Sequence, residues 1–302
     1  MPGLRNPTFQ FLPVLLLLLC TATVASGQEI PELQQRAGAG DPESAFRLGL
    51  EYSIGARVPL NLTEALRWYR KAADQGYVHA EYNLGVAYHN GLGVARNDAE
   101  SARWFRKAAD QGDADAAYAL GLAFETGRGV IRDGSKAIVW FAKADTGRGN
   151  ELAELRLAEI YATGNGVGKD QAEAMRWYRK AAEHGSAEAQ CRLGSAYLFG
   201  TGVAQDNVEA AAWFRRAAAQ GTTAAVYELG AMYQSGEGVP KNFAEAYFWL
   251  NLAAAAAEPA RQEEIAAERD AAASNLTDAE LLQTRERVRH WFEEHPAAPN
   301  SH

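Results

Sequence analysis

The sequence "LRWYRKAADQG", residues 66–76, decides how this chain folds, because close copies of it recur along the chain. "ARWFRKAADQG" ends at Gly112 and "MRWYRKAAEHG" ends at Gly185. Aligning the copies places tryptophans at intervals of 36, 36, 37, 36 and 36 residues. These tryptophans are Trp68, Trp104, Trp140, Trp177, Trp213 and Trp249. A fixed period in this range indicates stacked structural repeats, that is, a solenoid.

Within each period the recurring stretch predicts a helix, which we call the second helix of the repeat. Its apolar residues follow the spacing i, i+3, i+4, i+7, starting for example at Ala65. Most copies begin with Asn or Asp three residues before a glutamate, as in Asn61 and Glu64, which resembles a capping box. A glycine such as Gly76 then ends the helix.

A first helix is predicted before each second helix, with apolar residues at i, i+4, i+7 and i+8 starting for example at Ala80. A second apolar position widens this stripe, so the helix must pack between neighbours. A glycine follows the key leucine, as Gly85 follows Leu84. Glycine inside a helix costs about 1 kcal/mol, and we expect the close approach of another helix to compensate.

The two helices are joined by "GLGV", "GRGV", "GNGV", "GTGV" or "GEGV", and by "GARV" in the first repeat. A Gly-x-Gly sequence also occurs in phosphate-binding loops, but those follow a strand, whereas these loops join helix to helix. The nearest match, "GNGVGKD" at residues 164–170, has the wrong glycine spacing for that motif. We therefore expect turns that end the first helix.

The pattern "AEYNLGVAYHNGLGVARNDAESARWFRKAADQG", residues 80–112, resembles the Sel-one-like repeat family, which is related to tetratricopeptide repeats. The resemblance covers residues 41–256 as about six repeats. It implies an all-α fold, a right-handed α-solenoid of two-helix repeats with capping helices at both ends. It also implies that the first helices line a concave groove. Members of the family typically act as scaffolds or adaptors for protein complexes, and the resemblance does not imply an enzyme.

The ends of the chain predict further segments. Residues 1–27 combine Arg5, an apolar stretch and small residues, which is typical of a signal peptide. An uncleaved anchor and a lipid-anchored Cys20 are the alternatives. We expect an N-terminal capping helix at 28–40, C-terminal capping helices at 257–295 and a disordered tail at 296–302. The protein is thus expected to be exported, to a bacterial periplasm or the medium.

Composition narrows the classes of partner. The formal net charge is −8 without a basic block, which argues against nucleic acid and against an anionic membrane surface. Only Cys20 and Cys191 occur, so an internal disulfide framework is excluded. No common zinc, serine-hydrolase or penicillin-recognising signature is present, and we expect no catalytic residue, metal or cofactor. Residues 146–150 replace the usual link between repeats and predict a looser joint or a harmless loop.

Binding is expected on first-helix positions that lie outside the core pattern, by analogy with tetratricopeptide units. Arginines recur just before the key leucine and favour a groove that binds carboxylates. The alternative, that they are ordinary solvated charges, stays open. The predicted groove residues are Arg47, Tyr82, Asn83, Val86, His89, Tyr118, Arg156, Arg192 and Tyr227.

These observations favour a non-catalytic exported scaffold or adaptor that binds a protein or peptide partner in its groove. A regulatory role or a role in assembling envelope complexes is consistent with this hypothesis. Two alternatives remain: an envelope enzyme, such as a cell-wall or β-lactam hydrolase with an unrecognised site, and a passive structural spacer.

Overall fold

The computed structural model describes residues 30–145 and 150–294. These residues form fifteen α-helices and contain no strand. The chain divides into two compact units, unit 1 (Met1–Thr146) and unit 2 (Gly147–His302). No helix among the described residues is long and apolar enough to cross a membrane. The predicted signal peptide, the predicted tail and most of the predicted joint at 146–150 lie outside these residues.

Unit 1 holds three helical pairs preceded by one helix. Its helices are α1 Ile30–Gly38, α2 Pro42–Ile54, α3 Leu62–Ala73, α4 Val78–Asn90, α5 Asp98–Asp110, α6 Ala114–Thr126 and α7 Gly134–Ala144. Each helix packs against the next one in the chain, and the first helices α4 and α6 also touch. Unit 1 is therefore a stack of repeats 1 to 3 with α1 covering its start.

Unit 2 holds three helical pairs followed by two helices. Its helices are α8 Glu151–Thr163, α9 Gln171–Glu183, α10 Ala187–Phe199, α11 Asn207–Ala219, α12 Thr223–Ser235, α13 Phe243–Ala256, α14 Pro259–Ala273 and α15 Asp278–Glu294. Both α14 and α15 pack on α13 and so cover the last repeat. The predicted all-α fold of six two-helix repeats with capping helices is confirmed, with three stacked repeats in each unit.

The starts of the second helices are capped as the sequence predicts. Asn61 Oδ1 accepts a hydrogen bond of 3.1 Å from the backbone N–H of Glu64, and the same bond forms at the other second-helix starts. In repeats 1, 2 and 4 the glutamate pairs with an arginine of its own helix instead of completing the capping box, as Glu64 does with Arg67 at 3.2 Å. At Asn97, Asp206 and Asn242 the cap oxygen accepts a second backbone hydrogen bond, so each cap satisfies one or two of the free N–H groups and contributes about 1 kcal/mol.

The glycine after the key leucine accommodates an aromatic ring, which is the close approach that the sequence predicts. A Cβ on Gly85 would lie 2.5 Å from Phe105 Cδ1, and one on Gly194 would lie 2.6 Å from Phe214 Cδ1. Phe105 and Phe214 directly follow the repeated tryptophans. This ring packs the second helix against the first helix of the same repeat, and the preceding tryptophan does not fill the glycine slot.

The Gly-x-Gly loops are turns, and their second glycine joins consecutive repeats. Gly91 ends α4 with a φ of 73°, in the left-handed region. A Cβ on Gly129, three residues after the end of α6, would lie 2.0 Å from the carbonyl oxygen of Asp98. The loop of repeat 3 therefore packs directly on the start of α5 in repeat 2.

The Arg-Lys pair of the recurring stretch holds aromatic rings in place. Arg215 lies 5.7 Å from the ring centroid of Tyr233 in the next first helix and donates a 3.0 Å hydrogen bond to its hydroxyl. The second cation covers the tryptophan of its own helix, as Lys107 does at 4.1 Å from the Trp104 ring centroid. Sequence reasoning assigned these cations only to the helix dipole. Their cation–π contacts add about 0.5–1 kcal/mol each at exposed sites.

Polar side chains tie the end of the second helix to the first helix in three repeats. Gln111 Nε2 donates a 2.7 Å hydrogen bond to buried Glu81, and the pKa of Glu81 is raised by that burial. His184 Nδ1 lies 2.8 Å from buried Glu154 in the same way. These contacts explain why the recurring stretch ends in Gln or His before its glycine.

Candidate binding surface of the first helices

Among the described residues, no group of three or more His, Cys, Asp or Glu side chains is placed to hold a metal ion. The feature that invites a ligand is a cavity of about 30 Å³ in unit 1, between repeats 2 and 3. We call it the repeat 2–3 cavity. Its apolar lining comes from α5 and α6 and consists of Ala102, Phe105, Ala119, Leu122 and Ala123. Its polar lining consists of His89, Asp98, Ser101, Thr126 and Arg128.

Local structure brings three polar residues of the cavity lining together from different elements. His89 stands in the last turn of α4, and Asp98 is the first residue of α5 after the loop. Arg128 lies in the loop that follows α6. Because the loops of consecutive repeats pack on one another, these three side chains converge although they lie up to 39 residues apart.

Asp98 and His89 differ in their charge state. Asp98 accepts two hydrogen bonds from Arg96, at 3.2 Å from Nε and 2.9 Å from Nη2, and these bonds lower the pKa of Asp98. His89 Nδ1 lies 3.5 Å from Asp98 Oδ1. Burial lowers the pKa of His89, and the nearby Asp98 opposes this shift only in part. At neutral pH the site therefore holds the Asp98 carboxylate, whose negative charge is balanced by Arg96, beside the uncharged imidazole of His89.

Arg128 differs from the other arginine near the cavity. Its side chain is exposed and forms no hydrogen bond or ion pair within the part of the chain that the structure describes, whereas its backbone N–H donates a 3.1 Å hydrogen bond to the carbonyl oxygen of Ala123. Its charge acts on His89 and Asp98 only at longer range. Ser101 is already committed, because its hydroxyl donates a 2.8 Å hydrogen bond to the carbonyl oxygen of Gly85. An incoming anion would find its unused donors at Arg128.

The predicted groove residues of unit 1 fall in different environments. His89 lines the cavity, and Asn83 is half-buried on α4. Tyr82 and Val86 are buried, with 7% and 6% of their surface exposed, and the ring centroid of Tyr82 lies 5.7 Å from that of Phe105.

Tyr118 is half-buried, 5.6 Å from the ring of Phe141. Arg47 is exposed and pairs with Glu43 at 2.6 Å. In unit 1, the cavity thus brings in His89 alone of the predicted residues.

The predicted groove residues of unit 2 already have partners. Arg156 pairs with Glu159 at 2.9 Å, and Arg192 pairs with Glu188 at 3.4 Å, each on its own helix. The Tyr227 hydroxyl donates a 2.9 Å hydrogen bond to Glu268 of α14.

Arg261 of α14 lies 5.0 Å from the Tyr227 ring centroid. The capping helix α14 therefore contacts Tyr227 as a neighbouring repeat would. The half-buried thiol of Cys191 has a raised pKa because of its burial, which keeps it protonated at neutral pH.

Sequence reasoning missed Arg128, Asp98 and Thr126 as site residues. It searched first-helix positions relative to the key leucine, whereas Arg128 lies in a loop and Asp98 starts a second helix. The available signal was the arginine inside "GRGV", where the other loops carry Leu, Asn, Thr or Glu.

Comparison with known families agrees with this architecture. A family model of the Sel1 repeat matches residues 42–77, 78–113, 114–144, 152–186, 187–222 and 223–257. A search of curated proteins found no match.

Two solved structures are similar over most of the chain. One is a protective antigen of uropathogenic Escherichia coli strains with an SLR fold, at 29% identity and a TM-score of 0.76, covering 88% of this chain. The chain spans only 57% of that protein's length. The other is a Sel1 repeat protein from Oxalobacter formigenes, at 37% identity and a TM-score of 0.66, covering 78% of this chain and 68% of that one.

Proposed function

Because the chain belongs to the Sel1 repeat family, we propose that it is a non-catalytic scaffold or adaptor that binds a protein or peptide through its first helices. Sel1 repeat proteins are generally protein-interaction scaffolds. The observation that supports this proposal most directly is the repeat 2–3 cavity, where an apolar lining meets the exposed guanidinium of Arg128. An apolar pocket with a few convergent polar groups is the usual form of a recognition site.

The predicted arginine anchors remain part of the proposal despite their ion pairs. Arg47, Arg156 and Arg192 pair with glutamates three or four residues away on their own helices. Such helix pairs contribute only about 0.2–0.5 kcal/mol. A partner carboxylate can therefore replace the helix glutamate at little cost, within each unit.

The cavity favours a binding function over the enzyme alternative. Its serine hydroxyl is used to hold α5 against the carbonyl of Gly85, and its aspartate is held by Arg96. Neither group is poised to activate a nucleophile. We propose accordingly that residues such as Tyr82 and Tyr118 stabilise the repeats under the surface that the partner contacts.

The proposal is tested by site-specific photo-crosslinking with the full-length chain in its native cells. A photoreactive residue replaces exposed Thr126 at the cavity, exposed Arg47 on α2 or, as the matched control, exposed Arg103 on the second helix α5. We expect one protein to crosslink at Thr126 and Arg47 and none at Arg103. The crosslinked partner, once purified, should then bind the purified repeat protein directly. Equal crosslinking at all three positions, or none at the first helices, would refute the proposal.

We also propose that the protein is exported to the periplasm or the medium, on the basis of the signal-like residues 1–27. The mature protein from a native envelope fraction should begin between residues 26 and 28 by N-terminal sequencing. An intact Met1 in a cytoplasmic fraction would contradict export.

A further inference from the structure

We propose that the repeat 2–3 cavity binds the C-terminal residue of a partner polypeptide, with its carboxylate at Arg128 and its small aliphatic side chain in the cavity. This inference rests on the proposed scaffold function and specifies the partner's chemistry.

The charge of the ligand follows from Arg128. It is an exposed cation without an ion pair among the described residues, in a chain whose net charge is −8. The acid that lines the same cavity, Asp98, is held by both Nε and Nη2 of Arg96. A guanidinium with free donors is suited to bind a carboxylate through charge-assisted hydrogen bonds.

The size of the ligand follows from the cavity. A cavity needs about 10–15 Å³ to admit one water-sized group, and this one measures about 30 Å³. It therefore admits two or so such groups, which is the size of a short aliphatic side chain. The Phe105 ring and the Leu122 side chain in its wall give that side chain an apolar environment.

The position of the carboxylate selects a chain terminus over an internal acidic residue. Arg128 borders the same small cavity that the Phe105 ring lines, so the anionic and the aliphatic groups must lie within one residue of each other. A C-terminal alanine or valine places its α-carboxylate next to its side chain. An internal Asp or Glu would bring its carboxylate to Arg128 without a methyl group on the same residue to fill the apolar space beside Phe105 and Leu122.

Unit 2 has a larger side chain at the equivalent position. The residue that corresponds to Ala123 is Met232, which is buried with 3% of its surface exposed. The residue that corresponds to Arg128 is Glu237. Substituting Ala123 with methionine therefore copies a side chain that this fold already accepts.

Small model compounds test the inference by chemical-shift titration of the isotope-labelled mature protein. The probes are N-acetyl-L-alanine, its amide, N-acetylglycine and the α-amide of N-acetyl-L-aspartate. They represent, in order, the terminal residue, the loss of charge, the loss of the side chain, and an internal acid. The variants are Arg128→Gln, Ala123→Met and the control Arg103→Gln, which removes an exposed arginine of α5 that pairs with Glu100.

We expect N-acetyl-L-alanine to shift resonances around the cavity and to bind about tenfold more tightly than its amide and the aspartate probe. Arg128→Gln should lower the affinity for N-acetyl-L-alanine about tenfold. Ala123→Met should reduce this affinity to that of N-acetylglycine, and Arg103→Gln should leave it unchanged. The inference is wrong if the amide binds as well as the acid, if Arg128→Gln has no effect, or if no probe shifts the cavity.

Tighter binding of the aspartate probe would overturn the assignment to a terminus. Arg128 is exposed, so its variant should fold even if Ala123→Met does not. Failure of these titrations leaves the crosslinking result standing, whereas absent crosslinks with intact titrations would refute the scaffold function alone.

Discussion

The repeat 2–3 interface of unit 1 and the repeat 5–6 interface of unit 2 share one framework. They differ in the size and the charge of the side chains around it. Phe105 and Phe214 occupy the same glycine slot in both. Around them, unit 1 has a cavity with Ala123, whereas unit 2 has buried Met232 at that position.

The charge also reverses between the two places. Where unit 1 has Ala119 and Arg128, unit 2 has Glu228 and Glu237. Burial raises the pKa of Glu228. The comparison teaches that the repeat pattern determines the framework, and that the two interfaces differ in side-chain size and charge at a few positions, on which the proposed binding depends.

The largest expected effect tests the shared framework. Phe105→Ala and Phe214→Ala should each destabilise their unit by about 3–5 kcal/mol, because a buried ring that fills the glycine slot is lost. Urea unfolding followed by circular dichroism measures the loss. Phe199→Ala is the control, since Phe199 is 71% exposed and its removal should change stability by less than about 0.5 kcal/mol. A clearly smaller loss at one phenylalanine than at the other would show that the two frameworks differ.

The second prediction removes the difference in charge between Arg128 of unit 1 and Glu237 of unit 2. Arg128→Glu copies Glu237 of unit 2 and should abolish detectable binding of N-acetyl-L-alanine, because attraction becomes repulsion. Its stability should stay within about 0.5 kcal/mol of the parent, since Arg128 is exposed. Calorimetric titration and thermal unfolding measure the two quantities. Retained binding would mean that Arg128 is not the anion contact.

The glycine slot gives a smaller effect with two opposing terms. Gly85→Ala places a Cβ 2.5 Å from Phe105, an overpacking that costs about 1–3 kcal/mol, while alanine regains about 1 kcal/mol of helix propensity. We expect a net loss of about 1 kcal/mol, and the same for Gly194→Ala. Gly38→Ala is the matched control, because a Cβ there meets nothing within 4 Å and should not destabilise. Denaturant midpoints decide the outcome, and a stabilised Gly85→Ala would contradict the close approach.

The smallest effect concerns pH. The pKa of His89 is lowered by burial, with Arg96 and Arg128 lowering it further and Asp98 opposing them. The unfolded chain therefore binds the proton more readily, so this residue's contribution to stability is full above about pH 6.5 and is lost as pH falls through the folded pKa.

His89→Leu copies Leu198, the residue at the equivalent place in unit 2, and removes the titration. The drop in melting temperature from about pH 7.5 to about pH 5 should be smaller in this variant than in the parent. Equal drops in melting temperature would show that the pKa of His89 is the same in the folded and the unfolded chain.

The sequence predicts the framework well because its signals are local and repeated. The period of the tryptophans, the Asn or Asp caps and the glycine after Leu84 each reflect a contact that recurs, so one correct interpretation serves six repeats. The helix pairs of Arg47 with Glu43 and Arg192 with Glu188 were also visible as i, i+4 spacing. They show why an arginine track alone does not define a groove.

The cavity was beyond prediction because it arises from a deviation between repeats. The position of Ala123, three residues after the key leucine, holds alanine at Ala87 and Ala196 as well and methionine at Met232, so its identity alone does not mark the repeat that has a cavity. Arg128 reaches the cavity only because the loop of repeat 3 packs on the start of α5, a contact between residues distant in sequence. Period and amphipathicity contain no information on either.

The loop glycines also mark the beginning of the array. The second glycine of a loop must lack a side chain because it rests on the helix of the repeat before it, as Gly129 rests on Asp98. Repeat 1 has no earlier repeat, and there the glycine is replaced by Arg57, which pairs with Glu51. In this chain a single residue, Arg57 in place of glycine, therefore distinguishes the repeat that packs on α1 from repeats that pack on an earlier repeat.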